Sequence, residues 1–468
     1  MIRPATLLAR LRPYAWVIAI TLLALGLRLL WNLWLHPPTA HIYSDMGGYV
    51  ARAQRLATTP LLRRPDEPFY PLGTHYLIAF FLTVFGTKKA AGIGFALIAT
   101  IGAPLAYFFA GRLHGGPSWD GWRHRGEPCP AESPEQEALL RRASRVAIVA
   151  GLVVAVWFPF IGYGGYFLSE TPYTIALSVS AYYLLRLVDH ADPRDAWRSG
   201  IALAIGIVTR PQILVAALLA LGLGWRARKG LAPVGLRHLL RAAVPVALVM
   251  AYTAMVGAYH NGRATPVAQN GGLNRAFGRC HAQEIRSYHS AFGPPALGAL
   301  YRHEQRFPGT PFGLDAAIEP SLTTRGFVWD EEEMNALAER CVRESGPAKQ
   351  AYYAVSHVIV LWALNGGWPN MGGKPFPGFQ MVWTAIHFFV FAPGMIIGMV
   401  RGSGRRREPR LAIPSAFLWS MFLTVMLVMG SVRFRVPYDL ISIVVALHVY
   451  AGGIVTLRER RRRRREVR

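Results

Sequence analysis

Long apolar runs separated by short polar blocks dominate this chain. Runs approaching the roughly 20 mostly apolar residues that a bilayer crossing needs fall at 14–34, 68–86, 90–111, 145–167, 171–188, 199–225, 241–259, 380–400, 411–432 and 438–457. The pattern predicts an all-α polytopic membrane protein with a helical bundle of roughly 10–12 spans. The first run has no A-x-A-like cleavage site after a short apolar core, so it is expected to stay as a span. One run is ambiguous. Thr209–Arg210–Pro211 interrupts 199–225 at its middle, which fits either one span or a hairpin of two short helices. The hairpin requires that one earlier run does not cross, and the pattern alone leaves both readings open.

The longest polar stretch, 260–379, is expected to be a large extracytoplasmic loop. Its apolar segment 351–365 is short and contains His357, which suits a surface helix better than a span. The chain thus divides into a transmembrane module 1–259 with a first outer loop at 35–67, the large loop 260–379, a second transmembrane module 380–457 and a basic tail 458–468. The acidic run Asp330–Glu333 is expected to open a helix ending near Cys341.

Composition supports the membrane reading. The 468 residues are 52% hydrophobic and 16% charged, against about 25% charged for an average soluble domain. Yet the net charge is +25 and the pI about 10.6. That excess is concentrated. The tail after Leu457 carries eight Arg, the segment 401–410 five, and 226–241 holds Arg226, Arg228, Lys229, Arg237 and Arg241. Basic residues in short loops mark the cytoplasmic side, so these segments are expected inside and 35–67 and 260–379 outside. A nucleic-acid partner is not expected for a basic tail directly after a span; membrane lipids are. Cys280 and Cys341 share the outer loop and form a disulfide candidate for an oxidising compartment, while Cys129 stands alone. No metal-ligand spacing occurs.

Chemistry is expected where ionisable residues depart from this pattern. Asp45 follows the first span and precedes a short helix, where Ser44 or Asp45 serves as a cap or Asp45 serves as a general base at the membrane surface. Asp66 and Glu67 precede the second run and supply a candidate second carboxylate, as does Glu170. His75 lies in Tyr70–Tyr76 at the entry to that run. Ser169–Glu170 and Arg210 are ionisable sites within or between apolar runs, where charge is costly and marks function; Arg210 at a hairpin tip would reach the outer face and bind phosphate. Arg433 and Arg435 lie in a turn expected outside, against the usual charge bias, which suits a lipid phosphate. Asn270–Gly271–Gly272–Leu273–Asn274 reads as a turn with side chains suited to sugar hydroxyls.

Taken together and in this order, Asp45 with Tyr49, Pro68–Tyr76, Ser169–Glu170, Thr209–Arg210–Pro211, Asn270–Asn274 and Arg433–Pro437 resemble the GT-C superfamily of integral-membrane glycosyltransferases. The resemblance is to the bacterial branch related to protein O-mannosyltransferases and lipid A aminoarabinose transferases. It implies a polyprenyl-phosphate sugar donor used on the outer face of a bacterial inner membrane, with inversion at the anomeric carbon. Asp45 is then the expected base, Arg433, Arg435 and Arg210 the donor-phosphate ligands, and Tyr49, His75, Asn270 and Asn274 the sugar or acceptor contacts. The acceptor, a glycan, lipid or protein, is not specified. The sequence departs from the family in having Met46 after Asp45 where an acidic pair is common. Since one carboxylate rarely holds a divalent ion, no clear ligand set supports a metal, and metal dependence stays open. The alternative from another class is a transporter or lipid-linked glycan flippase, which would more naturally carry internal repeats.

Overall fold

The structure, a computed structural model, describes residues 14–59, 69–119, 133–280, 285–289, 296–298, 322–327, 331–364, 375–404 and 408–466. The chain is an all-α polytopic membrane protein in its body. In chain order the helices are α1 (Ala15–Leu30), α2 (Asp45–Thr58), α3 (Leu72–Phe85), α4 (Lys88–Thr100), α5 (Gly102–Gly115), α6 (Pro134–Val156), α7 (Phe158–Gly164), α8 (Glu170–His190) and α9 (Pro193–Thr209). There follow α10 (Ile213–Ala227), α11 (Leu236–Asn261), α12 (Gly271–Arg279), α13 (Glu331–Val360), α14 (Phe376–Ile386), α15 (Ala392–Ser403), α16 (Ala412–Leu427), the short α17 (Val432–Arg435) and α18 (Asp439–Glu466). Six stretches among the described residues are long and apolar enough to cross a membrane, and α6 with the bent α7 makes a seventh.

Side-chain contacts identify the two ends of the bundle. At one end Glu170 of α8, Arg210 after α9 and Arg433 of α17 meet. At the other, Asp189 of α8 binds Arg112 of α5 at 2.8 Å and Arg410 before α16 at 3.3 Å, and His448 of α18 binds Glu408 at 2.8 Å. Traced between these ends, the described helices make ten passages: α1, α4–α5, α6–α7, α8, α9, α10, α11, α14–α15, α16 and α18.

Two ambiguities of the apolar pattern are resolved by this layout. Residues 199–225 form the hairpin, with α9 and α10 separated at Arg210–Gln212. Arg210 itself is extended (φ −154°, ψ 107°), as expected for a residue preceding proline. The run 68–86, read as a span, does not cross. α3 has only 14 residues, about 21 Å of helix, and begins beside the Arg210 end. The following α4 begins near that same end, since Asn32 donates to the carbonyl oxygens of both Gly92 and Gly164, at 2.9 and 2.8 Å.

Between α11 and α14 the described residues hold α12, α13 and a small sheet. Its order is β2 (Ala296–Gly298), β1 (Ile285–His289), β3 (Leu322–Phe327), with β1 antiparallel to β2 and parallel to β3. These short strands are an addition to the helical body. The acidic start of α13 lies where expected, but the helix runs past Cys341 to a break at Gly346–Pro347 (Gly346 φ 76°). Cys280 and Cys341 form a disulfide with Cα atoms 5.0 Å apart, joining α12 to α13 inside a small apolar cluster with Ala276, Met334 and Leu337. α13 ends on the bundle: His357 Nδ1 lies 3.0 Å from the Val425 carbonyl oxygen of α16.

Candidate active site

Four ionisable side chains from four separate segments converge at the Arg210 end. Arg433 donates through Nη1 to Asp45 Oδ2 at 3.0 Å and through Nε to Glu170 Oε1. Arg210 donates through Nη2 to the same Glu170 oxygen and through Nε to Ser169 Oγ at 2.9 Å. The formal charges cancel, two carboxylates against two guanidiniums. Their exposure does not match. The Glu170 side chain is 0% exposed and Arg210 7%, whereas Asp45 is 31% exposed. Glu170 therefore serves as an internal anchor for both arginines, and Asp45 is the acid that a substrate can reach.

Local backbone features aim these groups. Met46 N–H donates to the Tyr43 carbonyl oxygen at 3.1 Å, closing a tight turn with Ser44 at φ 51°, ψ −130°, a conformation that normally calls for glycine. Such a residue costs of order 1–3 kcal/mol and persists when its surroundings hold it; here it sets the direction in which Asp45 leaves the first turn of α2. Ser44 makes no side-chain cap. The Thr-Arg-Pro break delivers Arg210, and α3 approaches it because position 73 is glycine: a Cβ there would lie 2.8 Å from the Val208 carbonyl oxygen.

An aromatic wall closes one side. Tyr70 donates weakly to Asp45 Oδ1 at 3.4 Å, its ring is 4.8 Å from that of Tyr49, and Arg52 sits over it at 4.8 Å. Burial, with Asp45 alongside, pushes both phenols up, Tyr49 to about 12. Both therefore remain protonated donors at neutral pH. His75 is fully buried behind Tyr49, ring centroids 6.4 Å apart. Tyr70 was not among the expected site residues, although the Pro68–Tyr76 motif contains it.

The remaining candidates separate into distinct places. Arg435, expected beside Arg433 as a phosphate ligand, turns the other way. It is fully buried and binds Asp439 at 3.1 Å, with Asp439 also accepting from Trp157 Nε1 at 2.9 Å and lying 3.3 Å from His387 Nε2. Successive residues of the short α17 point to different sides, so only one of the two arginines reaches Asp45. The expected Asn270–Asn274 turn is instead the start of α12. Asn274 donates to the Asn270 carbonyl oxygen at 2.9 Å, and neither side chain hydrogen-bonds to the Asp45 cluster among the described residues. Gly272 is there for helix packing, since a Cβ would lie 2.6 Å from the Glu331 carbonyl oxygen of α13. Asp66, Glu67 and Cys129 lie outside the described residues. Among the described residues no group of three His, Cys, Asp or Glu side chains is placed to hold a metal.

Two buried polar atoms in the cluster have no hydrogen-bond partner among the described residues: Arg210 Nη1 and Glu170 Oε2. An unsatisfied buried donor costs roughly 1–3 kcal/mol, so the cluster gains whenever a ligand oxygen meets Arg210 Nη1. The arrangement offers a reachable carboxylate, two fixed cations and phenolic donors at one end of a membrane bundle.

No protein-family model matches this chain, and no curated protein does. Among solved structures, it is similar to the archaeal oligosaccharyltransferase AglB from Archaeoglobus fulgidus, in complex with an inhibitory peptide and a dolichol-phosphate, at 12% identity and a TM-score of 0.44. The match covers 95% of this chain and 51% of that one, so the chain spans about half its length. Likeness at that level is too slight to carry an inference about fold or activity.

Proposed function

We propose that the chain is a GT-C-type glycosyltransferase that moves a sugar from a polyprenyl-phosphate donor to an acceptor hydroxyl at the outer face of a bacterial inner membrane. The observation that carries this reading is the meeting of Asp45, from the first loop, with Arg433, 388 residues later, at 3.0 Å. A reachable base and a fixed cation side by side suit displacement of a phosphate from an anomeric carbon. The motif resemblance supplies the donor class. The orientation rests on charge: among the described residues, Arg401, Arg410 and the basic residues of 226–241 lie at the end opposite Asp45, which by the positive-inside rule directs the site outward. A site without access to cytoplasmic nucleotide sugars needs a donor that arrives in the membrane.

In the proposed reaction the acceptor oxygen bonds to the anomeric carbon as the carbon–oxygen bond to phosphate breaks. The leaving polyprenyl phosphate keeps the electron pair, and Asp45 takes the acceptor proton. A single in-line displacement inverts the anomeric centre. The phosphate, by competing for Arg433, releases Asp45 from its ion pair at the moment its basicity is needed. Arg210 Nη1 supplies a second donor to the phosphate. Arg435 is assigned no contact with the phosphate, because it is buried against Asp439 on the side of α17 away from Asp45. The hexosyl or pentosyl identity of the group transferred stays open.

The test is transfer of radiolabelled sugar from polyprenyl phosphate in membranes containing native acceptors. Replacing a general base costs roughly 10²–10⁴ in rate, so Asp45→Asn is expected to lose at least a hundredfold while remaining folded. Undiminished transfer by that variant removes Asp45 as the base.

A further inference from the structure

At the end opposite Asp45, α9 and α11 cross at close range. A Cβ added to Gly200 of α9 would lie 2.4 Å from the Ala242 carbonyl oxygen of α11. Beside that contact, Pro193, Arg194, Trp197 and Arg198 of α9 and Arg241 of α11 line an open pocket of about 560 Å³. That volume lies in the roughly 300–1,000 Å³ range of small-molecule sites.

The pocket is cationic. Arg194 and Arg241 are exposed, and their guanidiniums have no partner among the described residues. Arg198 binds Asp195 at 3.2 Å and lies over the Tyr183 ring at 5.4 Å. The neighbouring acids do not cancel the other two. Asp195 is buried and shared between Arg198 and Arg186, and Asp192, which accepts the backbone N–H of Arg194 at 2.8 Å as the cap of α9, keeps its charge; the two carboxylates only partly offset the four arginines, and a positive excess remains. Trp197 is 44% exposed at the rim, where an indole suits the boundary between headgroups and acyl chains.

A second observation indicates how the ligand continues. From the pocket, exposed apolar side chains descend α9 as Trp197, Ile201 and Ile205, and descend α11 as Leu240, Val244 and Leu248. Both series run at i, i+4, i+8, one stripe on one face of each helix. Two apolar stripes leading away from a cationic pocket match an anion that carries acyl chains. We propose that this pocket binds the phosphate headgroup of an anionic phospholipid, with Arg194 and Arg241 on the phosphate, Trp197 against the glycerol region and the chains along the two stripes. The site is separate from the Asp45 cluster and does not depend on the proposed transfer reaction.

The test uses the full chain in detergent micelles and native mass spectrometry of bound lipid. Probes are phosphatidylglycerol, phosphatidylcholine and inorganic phosphate. Wild type is expected to retain phosphatidylglycerol in preference to phosphatidylcholine. Arg194→Gln/Arg241→Gln is expected to weaken phosphatidylglycerol binding roughly 30-fold with unchanged thermal unfolding in phosphatidylcholine, as both side chains are exposed. Arg228→Gln/Arg401→Gln removes the same charge at the same end outside the pocket and is expected to change binding less than threefold. Equal retention of the two lipids, equal loss in both double variants, or no loss in Arg194→Gln/Arg241→Gln overturns the proposal. Displacement of the lipid by equimolar inorganic phosphate assigns the pocket to a free anion and overturns the lipid assignment. If the double variant unfolds, Trp197→Ala with Ile201→Ser takes its place; undiminished preference for phosphatidylglycerol in that variant overturns the assignment of the stripes.

Discussion

Glu170 holds two arginines in place through one buried oxygen, and Glu170→Gln isolates that role. The substitution keeps the shape and an accepting oxygen but changes the cluster from neutral to +1, with Asp45 the only remaining carboxylate among the described members. Removing one partner of a buried ion pair costs about 3–5 kcal/mol, because the other charge stays buried and uncompensated. Unit charges 4 Å apart at an effective dielectric of 20 interact by about 4 kcal/mol, which agrees in size. The retained amide oxygen and the partial exposure of Arg433, 14%, place the expected loss near the lower end, at about 3 kcal/mol. Adding Arg210→Gln restores neutrality. The double variant should therefore be less destabilised than the sum of the singles by about 2 kcal/mol, within the range seen for coupled neighbours. Denaturant titration in detergent micelles, followed by circular dichroism, measures all four states of the cycle. A Glu170→Gln cost below about 1 kcal/mol, or strict additivity, would refute the anchoring role.

Two further predictions concern chemistry and the outer loop. Arg433→Lys keeps the charge but loses the fork by which Nε and Nη1 reach two carboxylates at once; sugar transfer should fall about 10²–10³-fold with stability changed far less than in Glu170→Gln, and near wild-type kcat would remove Arg433 from the phosphate site. Cys280→Ser/Cys341→Ser opens a loop spanning 61 positions, which the chain-entropy model values at about 4 kcal/mol. Proteolysis should then cut near α12 and α13 well before the membrane-embedded helices, and unchanged protection would show that the helix contacts alone hold this region.

Neighbouring residues show how far the chain could be read without coordinates. Arg433 and Arg435 carry the same side chain, two positions apart, in a segment singled out for its arginines. Nothing in that pattern separates them, because the separation comes from Asp439 and Trp157 on one side of α17 and from Asp45 and Glu170 on the other. Tyr70 is not marked by the local pattern for the same reason. Its hydroxyl matters only because Gly73 lets α3 approach the end of α9, a contact 135 positions distant. The Asn270–Gly272 segment carried turn-forming residues, yet α13 packing against Gly272 made it a helix start.

What the sequence by itself determined is the class of molecule and the location of its unusual charges. Apolar runs long enough to span a bilayer are costly in water, and ionisable residues within them are costly in lipid, so both leave marks that need no partner to be seen. Glu170 and Arg210 stand out on that ground, Asp45 as an acid directly after the first span, and Arg433 as a basic residue against the charge bias of an outer turn. What only the tertiary structure decided is which of them touch, and how the ambiguous runs cross. Whether α3 spans depends on where α4 begins, and whether an arginine faces a carboxylate or a substrate depends on groups brought in from other helices. Those are long-range pairings, and no local pattern of residues encodes them.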